Sequence, residues 1–162
     1  MQAALSTAST LADFTSTKLI LPELHERTTV GVITELNQVL HMTEELPEHL
    51  FATSAAINHE LLTSMKLYGG MVITQARLTK LSHARFALGR AREPLPWRAS
   101  RLTPITFVVL VVEPSTKPVE YKRVVEALNT LAHHTEALNL MRASAGAEEM
   151  LAILGGVSFH RT

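Results

Sequence analysis

Residues 59–75 read HELLTSMKLYGGMVITQ, and 76–78 continue ARL. The period of the apolar residues changes inside this stretch. Before it, apolar positions recur at helical spacing. After Gly69 and Gly70, Met71-Val72-Ile73 is a compact run of β type. The run stops at Thr74-Gln75, and Ala76-Arg77-Leu78 reads as the start of a polar loop. The expectation is a strand that ends on a polar side chain and presents Gln75 to something.

Upstream, KLILPEL (18–24) is a short apolar run closed by Pro22, a first strand or its edge. TTVGVITELNQVL (28–40) sets Val32, Leu36, Val39 and Leu40 at helical spacing, with Thr28 or Thr29 as cap. TEELPEHLFATSAAINHELL (43–62) predicts a second helix, restarted after Pro47, with Leu50, Phe51, Ile57, Leu61 and Leu62 on its apolar face. Downstream, RFALGR (85–90) and ITFVVLVV (105–112) are β runs, the latter apolar at nearly every position and therefore covered on both faces. EPLPWRASRLTP (93–104) reads as a turn or extended connector. A helix starts after Pro118 and repeats Val124, Leu128 and Leu131. Two shorter ones, TEALNLMRAS and AEEMLAIL, follow, stopped by Gly155-Gly156. The order is strand, two helices, three strands, three helices. It predicts an α/β fold, a three-layer α/β/α sandwich around a small mixed sheet. The expected organisation is a flexible tail at 1–12, a single domain at 13–155 and a C-terminal tail at 156–162.

The 162 residues suit one domain with a real core, and 46% are apolar. There is no cysteine, which removes disulfides, thiolate nucleophiles and cysteine metal sites. The first residues have neither a basic segment nor a long apolar one, and the longest apolar run, 107–112, is far short of a membrane span. The expected location is the cytoplasm, with no membrane span. Net charge is zero but segregated. Residues 1–60 carry eight acids and two bases, whereas 77–101 carry seven bases (Arg77, Lys80, Arg85, Arg90, Arg92, Arg98, Arg101) against Glu93. This basic run suggests a contact for an anion or an acidic partner.

Eight histidines invite a metal or catalytic reading. His59 opens a zinc-helix pattern, but no histidine follows four residues on. His133 and His134 are adjacent and diverge on a helix. His25, His41 and His49 lie among acids on expected helix surfaces. No metal and no cofactor are expected. Phe86 and Trp97 within the basic segment suit single-strand stacking, but the neutral overall balance argues against nucleic acid.

The element order, with 59–75, resembles the enzyme IIA domains of the bacterial sugar phosphotransferase system, of fructose/mannitol type with its nitrogen-regulatory branch. Their signature has roughly the form R-E-x-x-x-S-T-x-x-x-x-G-(I/V)-A-(I/V)-P-H. Glu60 falls on its glutamate, Ser64 on its serine, Gly70 on its glycine and Ile73 on the residue before Pro-His, without a gap. Thr74 then stands for the proline and Gln75 for the histidine. His59 and Met65 stand for the arginine and the threonine. FVVLVVEP resembles the family's central strand, and LMRASAGAEEMLAIL its closing helices.

In that family the histidine accepts a phosphoryl group from the phosphocarrier protein, and a second histidine at the start of the helix after the central strand assists. The resemblance puts Glu120 or Tyr121 at the assisting position. An imidazole nitrogen has a lone pair that attacks phosphorus. An amide nitrogen has its lone pair delocalised into the carbonyl, so glutamine imitates only the hydrogen bonding. The resemblance therefore implies a pseudo-enzyme that has lost phosphoryl transfer and works by binding a protein: the phosphocarrier protein, a transporter or a regulatory target. Gln75, Thr74, Ser64, Glu60, Arg77 and Arg90 would form its binding surface. Two alternatives remain: transfer through a relocated histidine, His59 or His83, and a small-molecule or nucleotide sensor in the same hollow.

Overall fold

The computed structural model describes residues 8–44, 66–68, 70–78, 83–95, 104–114 and 118–160. The expected second helix at 43–62 lies beyond Glu44 outside them, as do Glu60 and Ser64. Seven strands and four α-helices are described: β1 (Ala8–Thr10), β2 (Ile20–Leu21), α1 (Thr29–Glu44), β3 (Lys66–Tyr68), β4 (Met71–Leu78), β5 (Arg85–Leu95), β6 (Ile105–Pro114), α2 (Pro118–Ala132), α3 (Thr135–Ala143), α4 (Ala147–Leu154) and β7 (Ser158–His160). Two 3-10 turns, Leu11–Phe14 and Thr17–Leu19, link β1 to β2.

Five strands form one mixed sheet in the order β2-β5-β6-β4-β3. β4 and β6 run parallel, as do β2 and β5, while β5 is antiparallel to β6 and β3 to β4. The alternation of side chains along each strand divides the core in two. Val72, Ala87, Val108, Leu110 and Val112 face α1, whose Val32, Ile33, Leu36 and Leu40 are buried against them. Met71, Ile73, Phe86, Phe107, Val109 and Val111 face the other way, against Val124, Leu128 and Leu131 of α2, Leu138 and Met141 of α3, and Met150 and Leu154 of α4. The sheet is thus covered on both faces, as the unbroken apolar run of β6 requires, and the α/β expectation is met.

Local chemistry explains the boundaries. Thr28 caps α1, its hydroxyl accepting from the Gly31 N–H at 3.0 Å. Pro118 opens α2, where no N–H is needed. Gly70 has φ +90°, and an added Cβ would stand 2.9 Å from the Pro104 carbonyl, so only glycine lets β4 turn away from β3 there.

Several boundaries differ from expectation. β4 does not stop at Thr74-Gln75. Ala76, Arg77 and Leu78 continue it, paired with Val112, Glu113 and Pro114 of β6. Pairing satisfies the backbone whatever the side chains are, so a polar residue near a strand's end does not terminate it. β3 was not anticipated because three residues carry too little pattern. β5 runs on to Leu95 through an irregularity between Arg90 and Leu95, which accommodates Pro94. Within the stretches expected as tails, Ala8–Thr10 pair with Ser158–His160, and Leu11 is fully buried.

Candidate functional site

Gln75 lies in β4, level with Val111 of β6, and Phe86 of β5 completes the row. It is half-buried. The alternation of side chains puts it on the face of Met71 and Ile73, the face that α2, α3 and α4 cover. Thr74, its neighbour, belongs to the α1 face and is 1% exposed. The two are therefore not joint members of one rim. Arg77 follows in β4 opposite Glu113.

Two residues beyond the Gln75 row, the strands meet the start of α2. Glu120, in its first turn, reaches across to the segment before β5. Its carboxylate accepts the Ala84 N–H at 2.8 Å, and His83 Nδ1 lies 3.4 Å away. Two residues of strand amount to about 7 Å, so Gln75 and Glu120 share one end of the sheet. Tyr121 packs instead against the hydrophobic core on that face. The Glu120 side chain reaches the segment before β5. The carboxylate oxygens at this end are acceptors for an amide and a histidine. The Gln75 amide supplies an acceptor and two donors. The described groups suit hydrogen-bonded recognition.

Arg90 is not brought to this end. It stands opposite Phe107 of β6, four residues along β5 from Phe86. Its guanidinium is committed to backbone carbonyls: Nε to Pro22 at 2.9 Å, and Nη1 to Met141 and Ser144 at 2.8 Å each. Arg85 donates to the Asp13 carbonyl at 3.3 Å, and Arg92 pairs with Glu23 at 2.9 Å. Among the described residues of the basic segment, Arg85 thus lies at one end of β5 and Arg90 and Arg92 together toward the other. Arg85 is separated from Arg90 and Arg92 because β5 carries its first residues and its later ones toward opposite ends of the sheet. What linear reading missed is Arg142, brought from α3 to the same neighbourhood as Arg90. No local pattern signals that contact.

Several histidines serve the backbone. His134 caps α3, Nδ1 accepting from the Ala137 N–H at 3.1 Å, and His133 Nδ1 donates to the Asn129 carbonyl at 2.9 Å. His25 Nδ1 lies 3.0 Å from Glu35, and this hydrogen bond and its charge raise the His25 pKa above the ordinary 6.5. Among the described residues no group of three or more histidine, aspartate or glutamate side chains could hold a metal ion. No helix among them is long and apolar enough to cross a membrane.

No family model and no curated protein matches the sequence. Solved structures do match. The nitrogen regulatory protein IIA-Ntr from Neisseria meningitidis aligns with a TM-score of 0.76 at 22% identity, over 89% of this chain and 98% of that one. Mannitol enzyme IIA from Escherichia coli, in its complex with phosphorylated enzyme IIB, aligns at 0.72 with 13% identity, over 87% and 96%. The same enzyme IIA alone gives 0.70 at 12%, over 86% and 97%. At these identities the likeness is one of fold, and the fold of this chain is that of the mannitol and nitrogen-regulatory enzyme IIA domains.

Proposed function

We propose that this chain is an enzyme IIA-like domain that carries no phosphoryl group at position 75 and acts by binding a protein. The observation that supports this most is that Gln75, level with Val111, and Glu120, bonded to the Ala84 N–H, lie at the same end of the sheet. If the resemblance in sequence holds, these two stand where transfer needs two imidazoles. A glutamine amide offers no nucleophilic lone pair, and a carboxylate repels an incoming phosphoryl group. Transfer of that group depends on positioning and on neutralising its charge. This end of the sheet would provide neither a nucleophile at 75 nor a helper at 120. The mannitol enzyme IIA solved with its phosphorylated IIB shows a neighbour of this fold engaged with a protein. The partner proposed here is likewise a protein: the phosphocarrier protein, a transporter or a regulatory target in the cytoplasm.

Intact-mass spectrometry after incubation with phosphoenolpyruvate, enzyme I and the phosphocarrier protein tests this. The expected result is no phosphoryl adduct on the natural chain and an adduct on Gln75→His. An adduct on the natural chain would refute the proposal.

One observation favours a second reading, transfer through His83: its Nδ1 lies 3.4 Å from Glu120, an arrangement that orients an imidazole. In that case the natural chain acquires the adduct, and His83→Gln loses it.

A further inference from the structure

At the other end of the sheet, where β4 and β6 begin, lies a cleft of about 400 Å³. Pro22, Glu23, Arg90, Arg92, Thr106 and Arg142 are among its lining residues. Three arginines face one glutamate, and the three are held in different ways. Arg90 is structural. It donates to the Met141, Arg142 and Ser144 carbonyls at the end of α3, and so offsets the negative field that a helix C-terminus would turn on an anion. Arg142 is exposed yet positioned. Its Nη1 donates to Asn139 Oδ1 at 2.9 Å, its Nε to Thr106 Oγ1 at 3.3 Å, and its guanidinium lies 5.6 Å from the centre of the Phe107 ring. A Cβ on Gly70 would come within 3.0 Å of its Nη2, so the glycine also makes room for it. Arg92 is exchangeable. Its side chain is 77% exposed and that of Glu23 56%, and an open pair of this kind contributes little and gives way to a better acceptor.

We infer that this cleft binds the phosphate group of a small molecule. Arg92 comes from β5 and Arg142 from α3, so two forks approach from different walls. A phosphate, with three terminal oxygens, engages both, whereas a single carboxylate is filled by one. The volume exceeds what the phosphate needs and leaves space for the molecule that carries it. The site is independent of the reading of Gln75. It lies at the opposite end of the strands, about 13 Å away for the four residues from Met71 to Gln75.

The test is thermal unfolding of the full chain with inorganic phosphate and with glucose 6-phosphate, against chloride at matched ionic strength. The melting temperature should rise with the logarithm of concentration above the dissociation constant. Arg92→Gln and Arg142→Gln should each weaken the response about tenfold, the worth of one charge-assisted hydrogen bond. Arg123→Gln on α2 should leave it unchanged. The Arg92–Glu23 pair is exposed on both sides, so the Arg92 variant keeps the fold and decides the matter even if Arg142→Gln is unstable. The inference is overturned if neither probe shifts the melting temperature at about 10 mM. It is equally overturned if Arg92→Gln responds as the natural chain does.

Discussion

Residues 74 and 75 are adjacent and polar, yet they meet opposite environments. Gln75 is half-buried on one face of β4. Thr74 is 1% exposed on the other, and its hydroxyl has no hydrogen-bond partner among the described residues. An orphaned buried hydroxyl costs about 1–3 kcal/mol. Thr74→Val keeps the shape and removes the hydroxyl, so it should stabilise the domain by about 1 kcal/mol. The urea midpoint should rise with an unchanged slope. A fall would mean that the hydroxyl has a partner in the folded protein. Both residue types are plain from the sequence. Which of them is buried is not, because alternation along a strand says that neighbours diverge but not which face is covered more tightly.

At the scale of the element, α1 does more than cover a face of the sheet. Its Glu35 accepts the N–H groups of His25 and Glu26, both near 3.0 Å, and pairs with the His25 ring. One carboxylate thus anchors the segment that enters the helix. Glu35 raises the His25 pKa, so the protonated ring is favoured in the folded state. The resulting stability is fully present below the ordinary value of 6.5 and is lost as pH rises through the raised folded value. NMR titration should place the His25 pKa above 6.5. Glu35→Gln, which keeps an acceptor for the amides, should lower it toward the ordinary value and flatten the fall in melting temperature above neutral pH. The helix and its Thr28 cap were legible from local pattern. The reach of Glu35 back by ten residues was not, since it depends on how the preceding loop folds over.

At the scale of the molecule, the sheet separates two cores, and residues distant in sequence close both. Leu11 is fully buried in the core shared with α2, α3 and α4. Leu11→Ala should therefore cost about 2–5 kcal/mol, whereas a residue in a loose tail would cost nothing. Chemical unfolding distinguishes the two. The N-terminal residues looked like a tail because small polar side chains dominate them, and one leucine makes no pattern. The sequence by itself determined α1 and its start, β4, β5 and β6 in their order, the three closing helices, the two-sided burial of β6 and the presence of an amide at position 75. These rest on the identity and spacing of neighbours, which the chain carries locally. Only the tertiary structure decided that Glu120 meets Ala84, that Arg90 leaves the Gln75 end for the terminus of α3, and that Arg92 and Arg142 share a cleft. Each of those juxtapositions brings together residues 36 to 54 positions apart. Their partners are chosen by the packing of the sheet between its layers, on which neighbouring residues carry no information.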